Sequence, residues 1–415
     1  MKRVKTVNEL TEFRQQVRQW LEQNCPVSMR GAAALDEIYR GGSRETFSSD
    51  EAKLWFERML DKGWTAPGWP KQYGGAGLSD PQVKVLKQEM KRLGCRAPLE
   101  AGQGLAMLGP ALLEFGTEQQ KLEHLPRIAR GEVRWCQGYS EPGAGSDLAN
   151  VQCRAKDMGD HFLINGTKIW TSNADVADWI FCLVRTDPDA GKQEGISFLL
   201  VDMAQPGVSV KPIELISGDS DFCQVFLDDV RAEKHNLIGE INQGWTVGKR
   251  LLQHERTLMS EIGDLSMGAA SDLPECARLY IGLENGKLAE SQLRMRVAQS
   301  EMNSQVLQLA QRKAFEEAKS GRVNPAATSF FKYYATEQQS VRYELMLALM
   351  GERALGWEHK RMDVSSFEDQ ELSVTRNWAF SKALTIAGGS SEIQLNVIAK
   401  RVLGLPDRTE GANKS

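Results

Sequence analysis

The stretch Ser140–Asp147 reads S-E-P-G-A-G-S-D, and further on Lys168–Asn173 reads K-I-W-T-S-N. Gly143, Ala144 and Gly145 clear side chains from the backbone, so a planar or phosphorylated ligand can approach it closely. Ser140 and Ser146 bring hydroxyls that both donate and accept. Trp170 offers a flat apolar face and Ser172 a short polar handle. Gly and Ser also dominate turns for purely local reasons. The plainer alternative is a Gly-rich turn followed by a strand with a core tryptophan.

On the N-terminal side the pattern is helical from Val7 to about Arg130. Leu10, Phe13, Val17 and Leu21 recur at near-helical spacing, with Asn8-Glu9 as the expected helix start. Gly63–Gly77 interrupts with Pro and Gly. Helices are expected over Pro81–Leu93 and Thr117–His124. The middle third turns to short apolar runs: Phe162–Ile164, Trp179–Val184, Ile196–Val201, Val208–Pro212 and Val225–Phe226. Asn165-Gly166 between two of its segments is the expected hairpin turn. From Trp245 the text is helical again, with breaks expected near Gly321, Met350 and Lys382. A last helix runs from Ser391 to Leu403, closed by Gly404 and Pro406. The expected domains are a helical one over 1–130, a β-domain over 131–240 and a helical bundle over 241–415.

The totals exclude several classes. In 415 residues, 41% are apolar and 26% charged, which suits a soluble globular chain. A net charge of −4 gives no electrostatic case for nucleic acid. No apolar run spans a bilayer. Seven cysteines without a C-x-x-C pair suit a reducing cytosol, and five histidines without ligand spacing leave metal catalysis unsupported. The expected location is a bacterial cytoplasm.

With Gly388–Gly404, G-G-S-S-E-I-Q-L-N-V-I-A-K-R-V-L-G, the two motifs resemble the acyl-CoA dehydrogenase family, over roughly residues 5–408. The resemblance implies a mainly α fold with a central β-domain: an N-terminal helical domain, a small antiparallel β-barrel and a C-terminal four-helix bundle. It implies FAD as cofactor and an acyl-CoA substrate, oxidised to a trans-2-enoyl thioester as in fatty acid β-oxidation. Electron-transfer flavoprotein is the implied acceptor. The implied assembly is a homo-oligomer, tetramer or dimer, or a hetero-oligomer with a related subunit.

By the same resemblance Gln137, Tyr139, Ser140, Gly145, Ser146, Trp170, Ser172, Ser390 and Glu392 contact the flavin. Ser146, Arg256 and the backbone N–H of Gly388 serve the acyl thioester. Many relatives carry the catalytic glutamate just before the last helix, where this chain has Gly388. Others carry it on an earlier helix before an arginine, which here is Glu255 beside Arg256. Glu255 is the expected base, although E-R pairs are usually solvated surface pairs. Glu392 is the next candidate, and also reads as a carboxylate favoured by a helix dipole. Relatives grip the FAD diphosphate through R-x-x-F-G and Q-x-x-G-G. This chain has R-L-Y-I-G (Arg278–Gly282), an apparent insertion through Gly286, and L-M-G-E-R-A-L (Leu349–Leu355). Arg278 reads either as a phosphate ligand or as a solvated helix cation. Two rival functions share the fold: a monooxygenase or oxidase using reduced flavin, and a partner subunit completing another chain's FAD site. The small Gly388 and an early base lean toward branched, long or polycyclic acyl groups.

Overall fold

Apolar residues at helical spacing place one face of α1 (Lys2–Asn24) against α2 (Asp50–Asp61) and α3 (Asp80–Leu93). Val17 and Leu21 are buried there with Trp55, Met59 and Leu86. The computed structural model describes residues 2–218, 220–254, 273–319, 327–357 and 367–406. Helix α1 begins before the expected Asn8-Glu9 start, because Asn costs an interior helix turn only a few tenths of a kcal/mol. Helix α3 is close to expectation, capped by Ser79 and ended by left-handed Gly94. On its buried face, Glu89 accepts hydrogen bonds from Arg14 (2.7 Å) and Arg18 (3.0 Å) of α1 and from Arg92 (2.8 Å) of α3 itself. Two further helices follow, α4 (Gly109–Phe115) and α5 (Glu118–Ala129). Helix α5 is capped by Thr117 as expected and runs beyond His124.

The middle third forms one eight-stranded sheet. Its strands are β1 (Trp135–Gly138), β2 (Arg154–Asp157), β3 (His161–Ser172), β4 (Trp179–Arg185), β5 (Ile196–Asp202), β6 (Val208–Ile213), β7 (Phe222–Glu233) and β8 (Leu237–Ile238). The path is β6-β7-β3-β2-β4-β5-β8, with β1 beside β4. The sheet is mixed rather than purely antiparallel: β1 and β2 both run parallel to β4. Long connections, not hairpins, link those pairs, which is what parallel neighbours need.

Strands β4 and β5 are buried on both faces, which explains their unbroken apolar text. Phe181, Leu183, Phe198 and Leu200 face a cluster shared with Leu108, Leu112, Leu125 and Ile128 of the helical segment. Ile180, Cys182, Leu199 and Val201 face a second cluster with Phe162, Ile164, Val225 and Val230.

The expected hairpin at Asn165-Gly166 is overturned. Both residues lie inside β3, where the register with β7 shifts between Ile164 and Gly166. Gly is required there by close approach: a Cβ would stand 2.7 Å from Cys153 Cα. Asn165 donates to the Asp229 carboxylate at 2.9 Å and accepts from the Asp229 N–H at 3.0 Å. The dipeptide therefore marks a bulge.

The helical text after the sheet resumes at residues 244–254, here α6. The described remainder comprises α7 (Leu273–Tyr280), a hairpin of β9 (Leu283–Glu284) and β10 (Lys287–Leu288), α8 (Ser291–Lys319), α9 (Ala327–Met350), α10 (Asp369–Leu384) and α11 (Ser391–Val397). Helix α9 ends at Met350 as expected, and the Gly321 break falls outside the described residues. Helices α7, α8, α10 and α11 all pack on α9, around Ala277, Val297, Met346, Leu349 and Val374. The final helix leaves α-geometry at Ile398 and closes with a π-turn through Val402. The chain divides into two compact units: Met1–Ile213 with Asp221–Glu255, and Glu214–Ser220 with Arg256–Ser415.

Candidate functional site

Strand β1 delivers the first motif. Its continuation, Tyr139, is buried and packs edge-on against Phe181 (6.0 Å) and Phe198 (6.3 Å). Gln137 and Ser140 are half-buried. The chain then turns tightly, with Glu141 and Ala144 exchanging backbone hydrogen bonds of 3.1 and 2.9 Å. Gly143, Gly145 and Ser146 form the exposed crest. Beyond the adjoining residues, no atom lies within 4 Å of where a Cβ would stand on Gly143 or Gly145, so the crest is open to a ligand.

The second motif lies beside the first: the Ile169 N–H donates to Ser140 O at 2.9 Å. Between Lys168 and Thr171 the register of β3 shifts again. Trp170 sits in that shift with φ +60° and is 54% exposed, while Thr171 is fully buried. A bulky residue in the left-handed region is a genuine outlier, and such strain gathers at binding sites. The Trp170 ring meets Phe222 edge-on at 6.4 Å. Asn173, also left-handed at φ +55°, accepts from Arg134 at 2.7 Å. Ser172 is half-buried and pairs in register with Phe222.

Sequence reasoning missed what joins the motifs. Lys168 is fully buried, and its Nζ donates to Glu141 Oε1 (2.7 Å), Leu183 O (2.6 Å) and Tyr139 O (3.3 Å). Glu141 also accepts the N–H groups of Gln152 (2.6 Å) and Cys153 (2.9 Å). Glu141 and Lys168 each stand in one of the two motifs. Nothing in the sequence says that they meet.

Helix α6 leads toward the expected base. Val247 and Leu251 anchor it in the core, and Gly248 lets it approach: a Cβ there would stand 3.2 Å from Leu183 and 3.5 Å from the Tyr139 hydroxyl. Arg250 pairs with Glu114 at 2.7 Å. Burial and the nearby Arg250 push the His254 imidazole below its ordinary range. Glu255 and Arg256 themselves lie outside the described residues.

The last loop stands in the second unit. Gly388 and Gly389 take φ +64° and +92°, and Gln394 Nε2 donates to both carbonyls at 3.0 and 3.3 Å. A Cβ on Gly388 would meet nothing within 4 Å. Ser390 caps α11 by accepting from the Ile393 N–H. Glu392 is exposed, and its own backbone N–H and the Ser390 hydroxyl hold its carboxyl below the usual range. That suits a helix-start carboxylate.

The expected diphosphate region is internally paired. Arg278 forms an ion pair with Glu275 one turn earlier. Arg353 is held by buried Glu371, which also accepts from Tyr280 (2.9 Å) and the Glu368 N–H (2.8 Å). Burial raises the Glu371 carboxyl, but these donors outweigh it and hold it below its ordinary range. The apparent insertion is the β9–β10 hairpin, with Asn285 and Gly286 at φ +51° and +74°.

In the first unit, the open Gly crest, the exposed Trp170 ring and the flanking hydroxyls of Ser140 and Ser172 fit a flat heteroaromatic cofactor such as a flavin. Among the described residues no group of His, Cys, Asp and Glu could hold a metal ion. No helix among them is long and apolar enough to cross a membrane.

Models of the acyl-CoA dehydrogenase N-terminal, middle and C-terminal domains match residues 8–132, 136–230 and 242–403. The acyl-CoA dehydrogenase IpdE1 of Mycobacterium tuberculosis is 36% identical over 408 residues, 98% of this chain and 100% of that protein. Among solved structures, the Tcur3481-Tcur3483 steroid ACAD superposes with a TM-score of 0.72 at 28% identity, covering 96% of this chain and 98% of that one. The ChsE4-ChsE5 complex from Mycobacterium tuberculosis gives a TM-score of 0.69 at 29% identity, covering 96% and 98%.

Proposed function

Because this chain belongs to the acyl-CoA dehydrogenase family, an enzyme family with FAD as cofactor, we propose that it oxidises the α,β bond of a bulky, polycyclic acyl-CoA of the steroid-derived kind. The observation that carries the FAD-site reading is the strained, exposed Trp170 standing beside the open Gly143–Ser146 crest. Two features support the bulky acyl group. One solved neighbour is named as a steroid ACAD, and the position before the last helix is Gly388, with open space around it.

In this reading Glu255 takes the α-proton. Its carboxyl needs a dry setting that lifts its pKa toward neutrality. Arg256, Ser146 and the Gly388 N–H serve the thioester side; the N–H polarises the carbonyl as a preorganised donor. FAD, when bound, supplies the hydride acceptor. Gln137, Tyr139, Ser140, Gly145, Ser146, Trp170, Ser172, Ser390 and Glu392 form its surroundings. Tyr139 acts there from within the core, backing the sheet rather than presenting its ring. Electron-transfer flavoprotein takes the electrons onward, in a cytoplasmic β-oxidation-type sequence.

A second reading concerns assembly. Arg278 and Arg353 are both engaged by carboxylates of this chain, which favours an FAD diphosphate held by a related partner subunit over a homo-oligomer. The ChsE4-ChsE5 neighbour is itself a two-chain complex.

Anaerobic absorbance titration with a panel of acyl-CoAs tests the function. Bleaching of the flavin band by polycyclic acyl-CoAs, and not by straight chains, is expected. Glu255→Gln is expected to keep FAD and slow that bleaching about 10²–10⁴-fold, the usual worth of a positioned base. Unchanged bleaching in that variant places the base elsewhere. A purified chain that is colourless alone and yellow with a co-expressed related subunit decides for the second reading.

A further inference from the structure

The buried charge pair beneath the two motifs has a use beyond stability. Lys168 Nζ spends its donors on three acceptors, Glu141 Oε1, Leu183 O and Tyr139 O. Glu141 spends its remaining capacity on the Gln152 and Cys153 N–H groups. The two side chains thus tie five segments: the end of β1, the Gly-rich loop, the entry to β2, and strands β3 and β4. Lys168 is fully enclosed and Glu141 is 7% exposed, and the hydrogen bonds of both are made within the protein.

The exposed residues of the two motifs follow closely on this pair in the chain. Two to five residues beyond Glu141 stand Gly143, Gly145 and Ser146; two residues beyond Lys168 stands Trp170 at its strained φ. Taking two charges out of water is costly, and apolar replacements are often as stable. The best attested return on a buried pair is a fixed register. Here the register at stake is that of a loop crest against a strand bulge. Both are irregular, and the Ile169-to-Ser140 backbone bond also joins them.

We propose that Glu141 and Lys168 are positioning residues, which hold the Ser140–Ser146 crest and the Trp170 bulge in the one relative arrangement that seats the cofactor. The inference rests on the reading of these motifs as the FAD site. Neither residue touches FAD or substrate; each acts through the backbone it fixes.

The test uses the full chain, with its partner subunit if one is needed for colour. It compares Lys168→Met, Glu141→Gln and the double variant by thermal melting, FAD affinity and hydrogen exchange. Lys168→Met strands a buried carboxylate and is expected to lower the melting temperature. The double variant removes both charges and is expected to recover part of it, since no buried charge is left unpaired. FAD affinity in the double variant is expected to stay weakened by roughly tenfold or more, as a site loses its preorganisation. Exchange is expected to stay raised over residues 140–147 and 168–173, and unchanged in β5. FAD affinity that returns with the melting temperature would overturn the proposal, leaving the pair a stabilising element only. If the wild-type protein takes no FAD in any assembly, the FAD-site reading fails by itself. Exchange then decides the clamp: a rise confined to the two motifs upholds it, and a uniform or absent rise overturns it.

Discussion

Trp170 carries a backbone conformation that costs a side-chain-bearing residue about 1 kcal/mol or more, and it buries less than half of its surface in return. That imbalance is the residue-scale argument for a ligand, because folding alone would favour glycine there. Trp170→Gly is accordingly expected to leave the apoprotein within about 1 kcal/mol of wild type, while FAD binding weakens measurably by fluorescence titration. A large loss of apoprotein stability would make Trp170 an ordinary packing residue. The sequence showed Trp170, Ser140, Gly145 and Ser146 because each is a side-chain type suited to a flat ligand at one local position. It could not show Lys168 meeting Glu141, since a pairing across 27 positions leaves no local trace. From sequence, Glu392 reads either as a cofactor contact or as a helix-start anion. Its exposed place in the first turn of α11 is where the helix dipole favours a carboxylate, and that place leaves it open to a cofactor as well.

At the scale of elements, two Asn-Gly dipeptides show what local chemistry leaves undecided. Asn165-Gly166 fills a bulge of β3, and Asn285-Gly286 makes the β9–β10 hairpin. Both dipeptides accommodate unusual backbone, and only their surroundings decide which use is made of it. At 165–166 the close approach of Cys153 and the paired Asp229 hold the chain in the sheet. At 285–286 both central residues have positive φ, as the tight two-residue turn requires. Gly286→Val is expected to destabilise the second unit by about 1–2 kcal/mol, read as a lower melting temperature; no change would mean that the turn is dispensable. Helices α3 and α5 were legible to within a few residues at their starts, because Ser79 and Thr117 begin capping boxes. The parallel pairing of β1 and β2 with β4 was not, since strand order depends on contacts far apart in the chain.

At the scale of the whole molecule, acid should lower the stability of the first unit over two successive pH windows. His124 lies between the helical segment and the sheet, edge-on to Trp135 and Trp179 at 5.5 Å each. Burial pushes its imidazole down to about 4; Glu123 opposes that shift, and Arg127 and His235 add to it. In the unfolded chain it titrates near its ordinary 6.5. Between those values the unfolded state binds the extra proton, so stability is full above pH 6.5 and falls as the pH drops toward 4. Glu89 acts lower. The bond from Arg18, against the opposing effect of burial and with Arg92 and Arg14 in support, holds its carboxyl at about 2. Its contribution is intact above 4.5 and is lost as the pH falls toward 2. Denaturant midpoints across pH separate the two groups. Wild type is expected to lose stability by up to about 1.4 kcal/mol per pH unit from each group within its own window. His124→Leu should flatten the slope between pH 6.5 and 4.5 and leave the lower limb. Glu89→Gln should flatten the lower limb and, by leaving three arginines without their carboxylate, cost about 1–3 kcal/mol at neutral pH. An unchanged upper slope in His124→Leu would mean that the imidazole is solvated and protonates freely in the fold, and that the helical layer does not seal the sheet at this point.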